Sequence, residues 1–258
     1  AKDIMLRSLE KLGASVDELL DRDGLLKESQ ALLKKGIPAA LQWFPFEALP
    51  PVHWHDTGEA VAPDVVKGLL LQCFKQKTPE PGPILKRYVE MWQPAGRQAL
   101  GQVVLESWIV QDTLPTYTPQ AAEQIAQSRA QQNFQYYQQL QQQYPNATGA
   151  YYHTTYEELY RSIYNELIRT CKGSAIKEKG LLAMAAACCD SRAVPPISTY
   201  LKTWYGNRMA QCKALLQVLA WTEDNSAIQL LLSVANRFRT KGIQKEAAQL
   251  VTELAERN

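Results

Sequence analysis

The sequence predicts an all-α fold, and three observations predict it. Apolar residues recur at helical spacing in most of the chain, with proline and glycine at the breaks. A 23-residue stretch near the C-terminus repeats itself at an offset of 34 residues, the period of two-helix units that stack as an α-solenoid. Between that repeat and the N-terminal helices lies a Gln/Tyr-rich segment that still keeps a helical stripe. The chain has 258 residues, 46% of them hydrophobic, which is ample for a buried core without disulfide or metal staples. Its 21% charged residues and mean hydropathy of −0.31 are those of an ordinary globular chain.

The elements follow in order. Met5, Leu6, Leu9 and Leu12 sit at helical spacing and stop at Gly13; Ser15 and Glu18 then have capping-box spacing before Leu19 and Leu20. Leu25, Leu26, Leu32 and Leu33 follow, with Gly36 as the stop. Pro45 and Pro50-Pro51 force extended backbone. Pro63 opens a helix carrying Val65, Val66, Leu69, Leu70 and Phe74. After the proline-rich turn Thr78–Pro83 come Ile84, Leu85, Tyr88 and Trp92, then a face of Leu100, Val103, Val104, Ser107 and Trp108.

From Gln120 to Gln143 eleven of 24 residues are glutamine, a bias that alone would suggest disorder. The stripe Ala122, Ile125, Ala126, Ala130, Phe134, Tyr137, Leu140 predicts a long inserted helix instead, capped by Thr118-Pro119 and ended at Tyr144-Pro145. Tyr156, Tyr160, Ile163, Tyr164, Leu167, Ile168 and Cys171 form a second apolar stripe, expected in the core.

In the repeat, Lys179–Leu201 overlies Lys213–Ala235 with six of 23 positions identical, among them Leu181/Leu215, Leu182/Leu216, Asp190/Asp224 and Ala193/Ala227. A third half-copy spans Lys245–Leu254. Pro195-Pro196 departs from the pattern and predicts a shifted or kinked helix. Charge divides the chain likewise: residues 1–112 carry −2, 113–155 only Arg129 and Glu123, and 156–258 carry +4. The expectation is one helical domain, 1–258, with sub-regions at 1–112, 113–155 and 156–258.

Some of these residues resemble a known family. Trp43-Phe-Pro-Phe-Glu-Ala-Leu-Pro-Pro-Val52 is similar to the "W…LPPV" segment of the bacterial molybdate metabolism regulator (MolR) family, and Leu105-Glu-Ser-Trp-Ile109 to its "LEAW" helix. Ser226–Leu231, Phe238–Ala248 and Glu253–Arg257 resemble its helical repeats. The resemblance implies a HEAT-like helical region of a bacterial cytoplasmic regulator, a region that in such proteins accompanies a WGR domain. No Trp-Gly-Arg triplet occurs here, and Trp204–Arg208 is only superficially like one. The chain begins without Met and stops at a helix end, so it reads as a domain excised from a larger protein. The resemblance carries no catalytic residues across, and molybdate binding is not expected from it.

Four features could carry chemistry. His53-Trp54-His55-Asp56 places two imidazoles on one side of an extended segment, a possible metal pair lacking a third ligand, against a plain reading in which Trp54 packs and both histidines are wet. Cys188-Cys189 ends an Ala-rich helix beside Asp190, where a thiolate is not favoured, so both are expected as packing residues. Arg237, Arg239, Lys241 and Lys245 form the densest basic stretch at a helix–turn–helix junction. They are candidates for anion or nucleic-acid contact, against a plain reading as a solvated turn complementing a helix C-terminus. Tyr136, Tyr151 and Tyr152 fall off the helical stripes and are candidates for a protein-interaction surface.

Five cysteines without a CxxC pair suit reduced cytoplasmic thiols. No apolar run reaches the roughly 18 residues of a membrane span. The local fingerprints of nucleotide, hydrolase and zinc-enzyme sites are missing. The expected function is therefore a non-enzymatic interaction scaffold with no cofactor, no metal and no catalytic residue, holding a protein partner or other domains of its own chain. The alternative is a nucleic-acid-binding helical-repeat domain working through the basic turn. An enzyme on helical repeats would need carboxylates or histidines converging on a concave face.

Overall fold

A computed structural model describes residues 20–146, 149, 153–222 and 224–257. The two N-terminal stripes before Leu20, and Tyr151 and Tyr152, lie outside the described residues. Among the described residues there are eleven α-helices and no strand, only isolated bridges, so the all-α prediction holds. The chain divides into two compact units, one from the described residues up to Val110 together with Ala175 onward, the other Gln111–Ser174.

The first unit opens with α1 (Arg22–Leu33), capped by the Asp21 carboxylate, which accepts the Asp23 N–H at 3.0 Å. Gly36 follows in the left-handed region (φ 79°), the conformation that its place after a helix requires. Helices α2 (Pro63–Phe74), α3 (Pro83–Glu90) and α4 (Pro94–Asp112) each start on a proline, whose missing N–H costs nothing there. Trp92 is not part of α3, as the spacing suggested. The helix stops at Glu90, and Trp92 instead bridges Trp54 in antiparallel fashion, His55 donating to the Met91 carbonyl and Gln93 to that of His53. Pro94 opens α4 immediately after, and this pinned turn buries Trp92 among Leu100, Leu105 and Trp108 in the same core.

The second half of this unit holds α7 (Leu182–Cys188), α8 (Val194–Trp204), α9 (Met209–Trp221), α10 (Asn225–Arg237) and α11 (Lys241–Arg257). The 34-residue correspondence is physical. Asp190 and Asp224 each accept the backbone N–H two residues ahead, at 3.0 and 2.8 Å, and each starts a helical turn. The paired Leu181/Leu215, Leu182/Leu216 and Ala193/Ala227 are all fully buried. Pro195-Pro196 sits in the first turn of α8; a 3-10 turn at Ser191–Ala193 replaces the turn that α10 makes as α-helix. α9 is flanked by α7 and α11, which explains why Leu215, Leu216, Val218 and Leu219 are all buried. α11 packs on α9 and α10 by one face and leaves Ala248 exposed.

The second unit is a helical hairpin of α5 (Pro119–Gln143) and α6 (Tyr156–Ile168). The sub-region boundary expected at 155/156 falls within this unit, which runs from Gln111 to Ser174. α6 packs on α5, and its base is tied by Thr116 N–H to Thr170 O (2.8 Å) and Lys172 N–H to Leu114 O (3.0 Å). Thr118 caps α5 and Thr155 forms a reciprocal capping box with Glu158 on α6. Ala122, Ala126 and Ala130 recur every four residues and are fully buried. The small side chains of Ala122 and Ala126 leave room for Tyr160 and Tyr164 of α6, whose rings stack with centroids 5.9 Å apart. Ile168, expected on the apolar stripe of α6, is instead exposed as the last residue of that helix.

Candidate functional site

Residues from two inter-helix turns meet at one end of the α8–α11 group. Tyr205, at the C-terminus of α8, packs edge-on against Phe238, at the C-terminus of α10, with centroids 5.9 Å apart. Met209 at the start of α9 lies against Gly242 at the start of α11, where a Cβ would meet its sulfur at 3.1 Å. The α8–α9 and α10–α11 turns therefore share a surface. Arg237, Arg239, Lys241 and Lys245, the four candidates from the sequence, are all exposed at the α10–α11 turn or within the helix turns beside it. The structure adds Lys202 beside Arg237, and Arg208, whose guanidinium lies 5.5 Å from the Trp204 ring.

No Asp or Glu occurs in Val194–Lys213 or in Leu230–Lys245. The next acid, Glu246, is turned to Lys213 (3.0 Å) and Gln217 (3.3 Å). Arg237 sits in the last turn of α10, where a cation suits the helix dipole. Lys241 and Lys245 do not fit that plain reading: they stand at the start of α11, where a cation meets the positive end of the dipole. This end thus gathers six cations, three aromatic rings and the 43%-exposed Met209. The signal for Lys202 and Arg208 was present in the sequence as a 32-residue acid-free run, Ser191–Thr222.

The other expected sites resolve separately. Val52 and Trp54 point into the core while His53 is half-buried and His55 exposed, and Arg22 lies over the Trp54 ring at 4.1 Å. Among the described residues no group of three or more His, Cys, Asp or Glu side chains converges as a metal site. Cys188 is buried, and Gly101 of α4 approaches so closely that a Cβ there would lie 2.8 Å from Cys188 Cβ and 2.9 Å from Cys189 Sγ. Burial, then the neighbouring Asp190, pushes the Cys189 thiol up to about 12. Burial does the same to Cys73. Neither is an activated nucleophile. Tyr136 is 56% exposed on α5, and Tyr144 just beyond it is 59% exposed.

The sequence reading missed a broad concave surface around Trp221. Three adjoining clefts of about 550, 450 and 550 Å³ are all lined by Trp221 and Arg257. Lys86 Nζ and Arg257 Cζ lie 5.3 and 3.8 Å from the Trp221 ring centroid. Glu80, Glu90, Asp224, Glu253 and Glu256 also line these clefts, so they carry both signs of charge. Asp224 is committed to its cap: the Ser226 hydroxyl and amide hold its carboxyl below the usual range. No local motif brings these residues together; they come from α3, α9, α10 and α11 and the turns beside them.

No family model, curated protein or solved structure matches this chain. Among the described residues no helix is long and apolar enough to cross a membrane.

Proposed function

We propose that this chain is a non-enzymatic helical-repeat scaffold whose working surface is the acid-free end of α8–α11, and that the partner it takes there is a nucleic acid. One observation carries the reading: six cations lie in the α8–α9 and α10–α11 turns and the helix ends flanking them, within stretches, 194–213 and 230–245, that hold no carboxylate. Such a field attracts phosphates at long range, and each phosphate neutralised releases counterions. Trp204, Tyr205 and Phe238 among the cations suit a nucleic acid better than an acidic peptide, because rings add base or sugar contacts. The in-register pairs α7–α8 and α9–α10 support a HEAT-like stack. The resemblance to the molybdate metabolism regulator family agrees with a bacterial cytoplasmic setting beside other domains.

The test is fluorescence anisotropy of labelled duplex DNA, single-stranded DNA and RNA at about 50 and about 200 mM salt, where phosphate contacts reveal themselves. Arg237→Ala/Arg239→Ala/Lys241→Ala is measured alongside. Binding that falls steeply with salt and is lost in the variant supports the reading; absence of binding at low salt in every arm overturns it.

A second reading has its own observation. Tyr136 and Tyr144 are exposed on a segment with hardly any charge, which suits a protein partner. Pull-down from a lysate by the wild type and not by Tyr136→Ser/Tyr144→Ser would favour it.

A further inference from the structure

A slot opens between α8 and α10 beside the cationic end, with a volume of about 120 Å³. We propose that it holds one unpaired nucleobase, so that the nucleic acid taken here is a single strand. The inference rests on the reading of this end as a phosphate-binding surface and deepens it. The slot is too small for an independent ligand, since small-molecule sites run to about 300–1,000 Å³. It suits a single ring delivered by a larger partner.

Its chemistry fits a base. Leu201 and Val234 give an apolar floor for a ring face, and Phe238, itself held edge-on by Tyr205, supplies an aromatic wall. Ser198 from α8 and Ser233 from α10 line it with hydroxyls that both donate and accept, matching the mixed edge of any base without selecting one. Lys202 and Arg237 stand one on each helix, so a strand with a base in the slot runs its phosphates past a cation on either side. An apolar protein side chain would use the floor and neither the hydroxyls nor the cations. A duplex offers phosphates but keeps its bases stacked away from the slot.

The experiment compares a dT oligonucleotide with a duplex of equal phosphate count, binding to the full chain and to Ser233→Leu. Ser233 is exposed, so leucine there extends into the slot without entering the core. The expected result is a loss of about tenfold in single-strand affinity, within the range of one base stack, with duplex affinity changed less than about twofold. A 5-iodouracil photocrosslink on the wild-type protein, mapped by mass spectrometry, is expected at Phe238 and serves even if the variant misfolds. Equal loss on both nucleic acids, no loss on either, or crosslinks confined to other helices overturns the slot while leaving the phosphate surface standing. Absence of binding to both overturns slot and surface together. Preferential binding of a polyglutamate peptide overturns the choice of nucleic acid.

Discussion

Phe238 and Tyr205 meet as a T-shaped ring pair across the gap between α8 and α10, their planes at 87°, and that contact joins the two basic turns. An edge-to-face pair of this kind contributes about 0.5–1.5 kcal/mol beyond its buried area. Phe238→Ala is therefore expected to cost about 1–2 kcal/mol in chemical denaturation and to weaken polyanion binding although no charge is removed. Tyr205→Phe keeps the ring and should leave both unchanged. Undiminished binding by Phe238→Ala would show that the two turns act separately.

Close packing of α1 on α2 depends on Gly68. A Cβ there would stand 2.7 Å from Ser29 Cα and inside the Ser29 side chain. Gly68→Ala is expected to destabilise by about 1–3 kcal/mol through overpacking. Ser29 is fully buried and its hydroxyl has no hydrogen-bond partner among the described residues. Removing an unsatisfied buried hydroxyl relieves a desolvation penalty, so Ser29→Ala should leave the urea midpoint unchanged or raise it. A marked fall would mean the hydroxyl is satisfied after all.

Among the described residues four carboxyls lie below their ordinary range: Asp56 through Arg22, Glu158 through the Thr155 N–H, Asp190 through Arg192 and Asp224 through Ser226. Each is more acidic folded than unfolded, so the unfolded chain binds more protons between the two values. Their contribution is complete above the unfolded pKa, about 4, and is lost as pH falls through the folded one. The thermal midpoint should fall below about pH 4 for this reason, and Asp224→Asn, which keeps a capping side chain, should flatten part of that fall. An unchanged acid limb in the variant would remove Asp224 from the account.

Arg257 holds the end of α11 to the end of α9 by two contacts, its guanidinium 3.8 Å from the Trp221 ring centroid and its Nη2 donating to the Ala220 carbonyl at 3.0 Å. Arg257→Ala should cost about 1 kcal/mol, and a double-mutant cycle with Trp221→Leu should return a coupling of about 0.5–1 kcal/mol. Additive losses would show that the ring contact contributes nothing.

Much of the fold was legible because helices obey local rules. Pro63 and Thr118-Pro119 mark starts, Gly36 marks a stop, and the Ala stripe of α5 shows through its glutamines because burial depends on spacing rather than on average polarity. Trp92 was misplaced because its apolar spacing continued past the turn that a bridge to Trp54 imposes. The α5–α6 pairing was not legible, because two adjacent stripes carry no record of which partner each covers. Of the candidate surface, the sequence delivered the four cations that are neighbours along the chain. Lys202 and Arg208 come from a turn some thirty residues earlier, and only packing brings them alongside.

The sequence by itself determined the helical class, the 34-residue echo with its two capping aspartates, and the acid-free runs 191–222 and 225–245. These are properties of spacing and capping, which act within a few residues. Tertiary structure alone decided which turns share an end, which rings meet there, and that Trp221 is faced by cations from two different helices. Those relationships depend on side chains far apart in the chain meeting at a few ångströms, a distance that no local pattern encodes.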